Sequence, residues 1–345
     1  GALCPNDIAI NQTTGSIYIT NEFSNNVSLL RGTDFVGNIA TGKWPIWVES
    51  DPNSATVYVS NVVSGVTMLD DALIKSQIEP YHESYNITLN TVNGYTYVTD
   101  LQRAITIIRG EERATDLSVP DFEGHRIEWQ LASDFDEQTG LTYFASWQKG
   151  ALTVMDDLQV VDQFPYFGEG AKDMVIDSYR RLMYIANFRA GEDELWFNNI
   201  SIVDLDTKAV TAIFTAEHTR HIAMDPTTGY VYATNPANDT VTVLRGIEVV
   251  ATHPTGKEPW GIAVDPTTGY AYVANSGENS VSVFHDGKPV TKIELPADKG
   301  FQPWQIAVEP QSHRVYIINR SSEIQHTKFA RNRIICEKPW VHVLD

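Results

Sequence analysis

Histidine, glutamate and arginine are the side chains that can move a proton or hold a metal near neutral pH. In this sequence they gather in a few polar stretches: His82-Glu83, His125-Arg126, Glu169 with Lys172, and Glu217-His218-Thr219-Arg220-His221. Imidazole serves as acid, base or metal ligand, and a carboxylate or guanidinium beside it tunes that role. His82, His125, Glu217, His218 and His221 are therefore the candidate catalytic residues, and a divalent metal is the cofactor such a set would take. Their spacing defines no preformed site. There is no H-x-H or H-x-x-x-H pair, and only His218 and His221 lie close together. A G-x-S-x-G elbow, a Gly-rich phosphate loop, an H-E-x-x-H helix and a D-x-D-x-D-G calcium run are all missing. These stretches meet only if the fold carries them to one place.

The elements that carry them repeat. Trp260-Gly-Ile-Ala-Val-Asp-Pro-Thr-Thr-Gly-Tyr-Ala-Tyr-Val-Ala-Asn275 is nearly duplicated by Arg220-His-Ile-Ala-Met-Asp-Pro-Thr-Thr-Gly-Tyr-Val-Tyr-Ala-Thr-Asn235. The second tyrosine of this frame falls at Tyr18, Tyr58, Tyr97, Tyr143, Tyr184, Tyr232, Tyr272 and Tyr316, about 40 residues apart. The seventh copy predicts four strands, at 261–264, 270–274, 280–284 and 289–295. Asp265-Pro-Thr-Thr-Gly269 forms the first turn, because Pro presets φ and Gly supplies positive φ. No segment keeps a helical period over three turns. Tandem four-stranded units of this length predict an all-β chain folded as a single β-propeller over 1–345. Eight blades are favoured, with seven as the alternative. The eighth copy ends at 340–344 on its third strand. Its blade is expected either to have three strands or to borrow an outer one from residues before Ile8.

Tyr272-Val-Ala-Asn275, Tyr58-Val-Ser-Asn61, Tyr18-Ile-Thr-Asn21 and Tyr184-Ile-Ala-Asn187 resemble the repeat of the YVTN family of β-propellers. Thr255-Gly-Lys-Glu-Pro-Trp260 and Thr41-Gly-Lys-Trp-Pro45 are similar to that family's inter-blade loop. The likeness runs through the whole chain but decays in copies three to five, where Val98-Thr-Asp100 and Phe144-Ala-Ser146 replace the motif's ending. The resemblance implies a periplasmic or cell-surface propeller from a bacterium or archaeon. It implies no single activity, since the family includes surface-layer proteins, binding proteins and subunits of larger enzymes.

In a propeller the inter-blade linkers share a face with the loops between second and third strands. The polar stretches above would then ring the mouth of the central channel, together with Lys43-Trp44, Lys257-Glu258 and Lys299 with Trp304. Two excursions interrupt the repeat, at 189–198 and 320–336. The first sets Trp196 and Phe197 among acids. The second carries Arg320, Lys328, Arg331 and Arg333 against one acid, with Phe329 and Ile334 as apolar anchors. Trp196, Phe197, Lys328, Phe329, Arg331, Arg333 and Ile334 are the expected partner-binding residues.

Net charge is −19. An acid excess of this size repels phosphate backbones, so nucleic acid is not an expected partner. No apolar run reaches membrane-spanning length, so no membrane insertion is expected, and any signal peptide is expected to have been removed already. The two cysteines, Cys4 and Cys336, exclude a disulfide-rich miniature fold and a four-cysteine cluster. They are expected either to form a disulfide that closes the ring or to be two separate buried thiols. The reading favoured by these features is a non-catalytic, cofactor-free, extracytoplasmic propeller that binds other protein subunits in a hetero-complex. It includes the case of a propeller subunit in a larger periplasmic redox complex such as hydrazine synthase. The alternative is a lyase or lactonase of propeller type, acting through His, Glu and Arg at the channel mouth.

Overall fold

A computed structural model describes residues 4–79, 83–100, 104–118, 130–146, 150–165, 168, 170–187, 199–214, 219–296, 302–320, 323–324, 334–335 and 340–344. Its strands form eight antiparallel blades, spanning 5–40, 45–78, 84–118, 130–165, 171–214, 222–254, 259–294 and 303–344. Among the described residues seven blades have four strands in simple meander order and the eighth has three. The chain is thus an all-β, eight-bladed propeller. In blade 7 the strands are Pro259–Val264, Tyr270–Asn275, Ser280–His285 and Lys288–Glu294, close to the expected bounds.

The repeat's residues explain the blade. Asp265 accepts the Gly269 amide on its carbonyl (2.8 Å) and the Thr267 amide on Oδ1 (2.9 Å). Gly269, at φ +74°, completes the tight turn. The frame tyrosine lies in the second strand, and seven of the eight are buried. Several of them reach the next blade's outer turn. Tyr18 Oη donates to the Asp71 carbonyl, Tyr97 Oη to Asp157 and Tyr184 Oη to Gly246, while Tyr232 Oη accepts the Gly287 amide. The motif's closing asparagine is buried and ties its own hairpin. Asn275 Nδ2 donates to Ser280 Oγ and Ser282 Oγ (2.9 and 3.0 Å), and Asn61 Nδ2 donates to the Gly65 carbonyl and Thr67 Oγ1. In blades 3 and 4, Asp100 and Ser146 accept the Ala104 and Ala151 amides instead.

Blade 8 consists of Pro303–Glu309, Arg314–Asn319 and Trp340–Leu344. The described residues before Ile8 do not complete it, because Pro5–Asn11 is the inner strand of blade 1. Apolar packing joins the first blade to the last: Ile8, Ile17, Ile19 and Leu30 against Tyr316 and Ile318. Cys4, the one cysteine among the described residues, is disulfide-bonded. Cys336, the other cysteine of the sequence, lies outside them, and apolar packing contributes to the seam beside Cys4. Among the described residues no helix is long and apolar enough to cross a membrane.

Candidate functional site

The inner strands run along the central channel, and one register of the repeat faces its mouth. Counting five residues back from each blade's first-turn acid or asparagine gives Asn6, Ile46, Tyr85, Leu131, Lys172, Arg220, Trp260 and Trp304. Seven of these, all but Leu131, line a cavity of about 440 Å³ at the mouth, together with Ile46's neighbour Trp47. The loops between second and third strands contribute Glu22, Val62 and Arg320 to the same cavity.

A stack of four side chains forms one wall. The Arg220 guanidinium carbon sits 3.5 Å from the centre of the Trp260 ring, the two indoles stack at 4.0 Å, and Arg320 lies 3.8 Å over Trp304. With its neighbouring indole so close on one face, each indole has only the other face left for its guanidinium. The order Arg220–Trp260–Trp304–Arg320 follows from sterics alone. Arg320 Nη2 also donates to Asn6 Oδ1 (3.1 Å), and its amide donates to the Gln302 carbonyl (3.0 Å). Gly261, next to Trp260, makes the stack possible. A Cβ there would lie 2.5 Å from the Trp304 carbonyl oxygen.

The mouth is electropositive and partly dehydrated. Burial, with repulsion from Arg220, lowers Lys172 to about 8. Burial lowers Arg220 to about 10, and burial also lowers Arg320. Glu22 is raised by burial while Arg320 opposes the shift.

Below the mouth the channel turns acidic. A second cavity of about 420 Å³ shares Asp7 and Trp47 with the first and adds Glu49, Ser50 and Glu137. Burial raises Asp7 and Asp134 to about 7 and Glu49 to about 8, with Asp7 adding repulsion on Glu49. Two of these carboxylates, and Asp173, join neighbouring blades. Asp7 accepts the Val48 amide (3.0 Å), Asp134 the Ile176 amide (2.8 Å) and Asp173 the Ile222 amide (3.1 Å).

Of the five catalytic candidates, His82, His125, Glu217 and His218 lie outside the described residues. His221 does line the mouth. Its Nδ1 faces Asp173 Oδ2 at 3.2 Å, and burial lowers its pKa, which keeps the ring neutral. Held between Asp173 and two nearby cations, it is a joint between blades 5 and 6, and a metal ion there would meet Lys172 and Arg220. Among the described residues no group of three or more His, Cys, Asp or Glu is placed to hold a metal. The partner-binding candidates Trp196, Phe197, Lys328, Phe329, Arg331 and Arg333 also lie outside the described residues, as does Cys336. Of Ile334 the backbone is described: Ile334–Ile335 pairs with Glu323–Ile324 as a two-stranded hairpin. Arg320, grouped by sequence with that excursion, turns inward to the mouth instead.

Sequence reading placed Lys172, Arg220 and Trp304 in linkers on the mouth face. It missed the stacking, Tyr85, Glu22 and the carboxylates at Asp7, Glu49 and Asp134. The turn residue that ends each inner strand is the signal that finds the mouth register, because counting back from it aligns all eight blades.

No protein-family model and no curated protein matches the sequence. Among solved structures the chain is similar to Kuenenia stuttgartiensis hydrazine synthase, at 16% identity and a TM-score of 0.58, with 91% of this chain and 92% of that one covered. It is also similar to the dihydro-heme d1 dehydrogenase NirN, solved in complex with DHE, at 10% identity and a TM-score of 0.72, with 97% of this chain and 76% of that one covered. Identities this low speak for a common fold.

Proposed function

We propose that this chain is a non-catalytic, extracytoplasmic propeller of YVTN type, a single unit over 1–345 that works as a binding subunit in a protein assembly. The observation that carries this reading is an apolar rim on the mouth face of blades 1 and 2. Phe23, Trp44 and Val63 are each about half exposed, at 51, 49 and 49%. Their loops interlock. Asn25 Oδ1 accepts the Trp44 amide, and the Trp44 carbonyl accepts the Val62 amide. Trp44 holds φ +58°, a left-handed conformation that bulky side chains rarely adopt without a reason. Large apolar side chains grouped on one rim suit a protein contact. The commitment of His221 to a blade joint weighs against the lyase or lactonase alternative, and the likeness to hydrazine synthase supports a place in a multi-subunit complex. The excursions at 189–198 and 320–336 are proposed as further contact loops.

The test is co-purification from the native source followed by size-exclusion, comparing wild type with Phe23→Ser/Trp44→Ser. The expected result is a hetero-complex for wild type and a monomer for the variant. A wild-type chain that elutes alone, or a folded variant that keeps its complex, overturns the reading.

A further inference from the structure

The mouth cavity goes beyond the assembly reading and does not depend on it. Its stacked wall has a chemical consequence. Both faces of Trp260 are occupied, one by Trp304 and one by Arg220, and both faces of Trp304 by Trp260 and Arg320. A ligand therefore cannot slide between rings. It meets the edges of the stack, and a guanidinium whose face rests on an indole presents its N–H edge, the side that binds carboxylate bidentately. Stacking fixes the orientation of both guanidiniums in advance, so little side-chain freedom is lost on binding.

The two guanidiniums stand at opposite ends of the stack, separated by two indole thicknesses. One carboxylate cannot reach both. Lys172 stands with Arg220 at one end, close enough for Arg220 to lower the Lys172 pKa, and Arg320 marks the other end. The cavity is thus bipolar, with an apolar aromatic wall between two cationic poles. Glu22 and Asp7 also line it, and burial raises both, so they oppose an anion less than exposed carboxylates would. We propose that the channel mouth binds an organic dianion, a dicarboxylate with an apolar middle, whose ends pair with Lys172–Arg220 and with Arg320 and whose middle lies along the indole edges. At about 440 Å³ the cavity has room for such a molecule.

Terephthalate, with two carboxylates across a ring, and benzoate, with one, are the probes, titrated into the full chain by calorimetry and by indole fluorescence. Terephthalate is expected to bind saturably and at least about tenfold more tightly than benzoate, with affinity falling as salt rises. Arg320→Gln is expected to bring terephthalate down to the benzoate level while leaving benzoate binding intact, because benzoate needs one pole only. Lys172→Met is expected to weaken terephthalate in the same way, with benzoate still held at the Arg320 pole, and serves as the second variant if Arg320→Gln fails to fold. Equal affinity for the two probes, no saturable binding to folded wild type, or unchanged terephthalate affinity in the folded Lys172→Met chain overturns the proposal.

Discussion

Two arcs of the same channel make opposite use of one repeat. On blades 5 to 8 the mouth register carries Lys172, Arg220, Trp260 and Trp304. On blades 1, 2 and 4, deeper registers of the same inner strands carry Asp7, Glu49 and Asp134. Backbone pairing hardly differs between them, since each blade is the same antiparallel meander. The repeat therefore fixes where an inner-strand side chain stands and leaves its chemistry open. A net charge of −19 can still present a cationic cup at one end of the channel and a protonatable acidic wall below it.

The aromatic arc is broken most severely at Gly261. Gly261→Val forces its branched Cβ into the Trp304 carbonyl and pushes blades 7 and 8 apart beneath the stacked indoles. The expected loss is about 3 kcal/mol in urea unfolding, with a changed tryptophan emission spectrum. A variant as stable as wild type would show that the two blades are not held at this contact.

The acidic arc is tested by pH. Asp7, Glu49 and Asp134 have raised values, so the folded chain holds their protons to higher pH than the unfolded chain does. The stability they contribute is complete below the ordinary carboxylate range and is lost as pH climbs through about 7 to 8. Wild type is expected to weaken between pH 5 and pH 8.5 by on the order of 1 kcal/mol per group. Asp7→Asn/Glu49→Gln/Asp134→Asn should flatten that slope. Parallel slopes in the two proteins would mean that general surface repulsion sets the pH dependence. Substitutions at the cationic arc should leave the slope in place.

The smallest effect belongs to the frame the arcs share. Tyr184→Phe removes one hydroxyl bond to the Gly246 carbonyl at the boundary of blades 5 and 6, and is expected to cost about 1 kcal/mol. If thermal melts show a loss as large as that of Gly261→Val, the frame and not the arc-specific contacts dominates stability.

The frame was legible because its residues do the same job in each copy. Tyr232 and Tyr184 bind the neighbouring blade, Asn275 and Asn61 tie hairpins, and Asp265 and Gly269 make the first turn, so each leaves a recurring letter at a fixed place. Strand bounds in blade 7 and the third-strand ending of blade 8 followed directly. The channel lining left no such letter. Asp7 stands four residues before its turn and Glu49 and Asp134 two, so no single register links all three, and Trp260 reads as part of a linker until the strands are registered. Arg320 was grouped with the basic residues Lys328, Arg331 and Arg333 further along its loop, whereas its stacking partner, Trp304, lies on the inner strand of the same blade. The histidine-rich linkers gave the right face for His221 but not its Asp173 contact, since chain position says nothing about the carboxylate that holds it.

The seam between blade 1 and blade 8 has a consequence in time. As the ribosome emits the chain, seven of the eight blade boundaries can form between consecutive segments, each as soon as the next blade emerges. The eighth must wait. Ile8, Ile17 and Ile19 have no counterpart until Tyr316 and Ile318 have been made, roughly 300 residues later. Until then an open arc of blades carries a bare apolar face at each end, the condition in which a nascent chain sticks to itself or to a neighbour. Folding of this protein should therefore depend on concentration and on chaperones chiefly at that closing step, long after most of its sheets are complete.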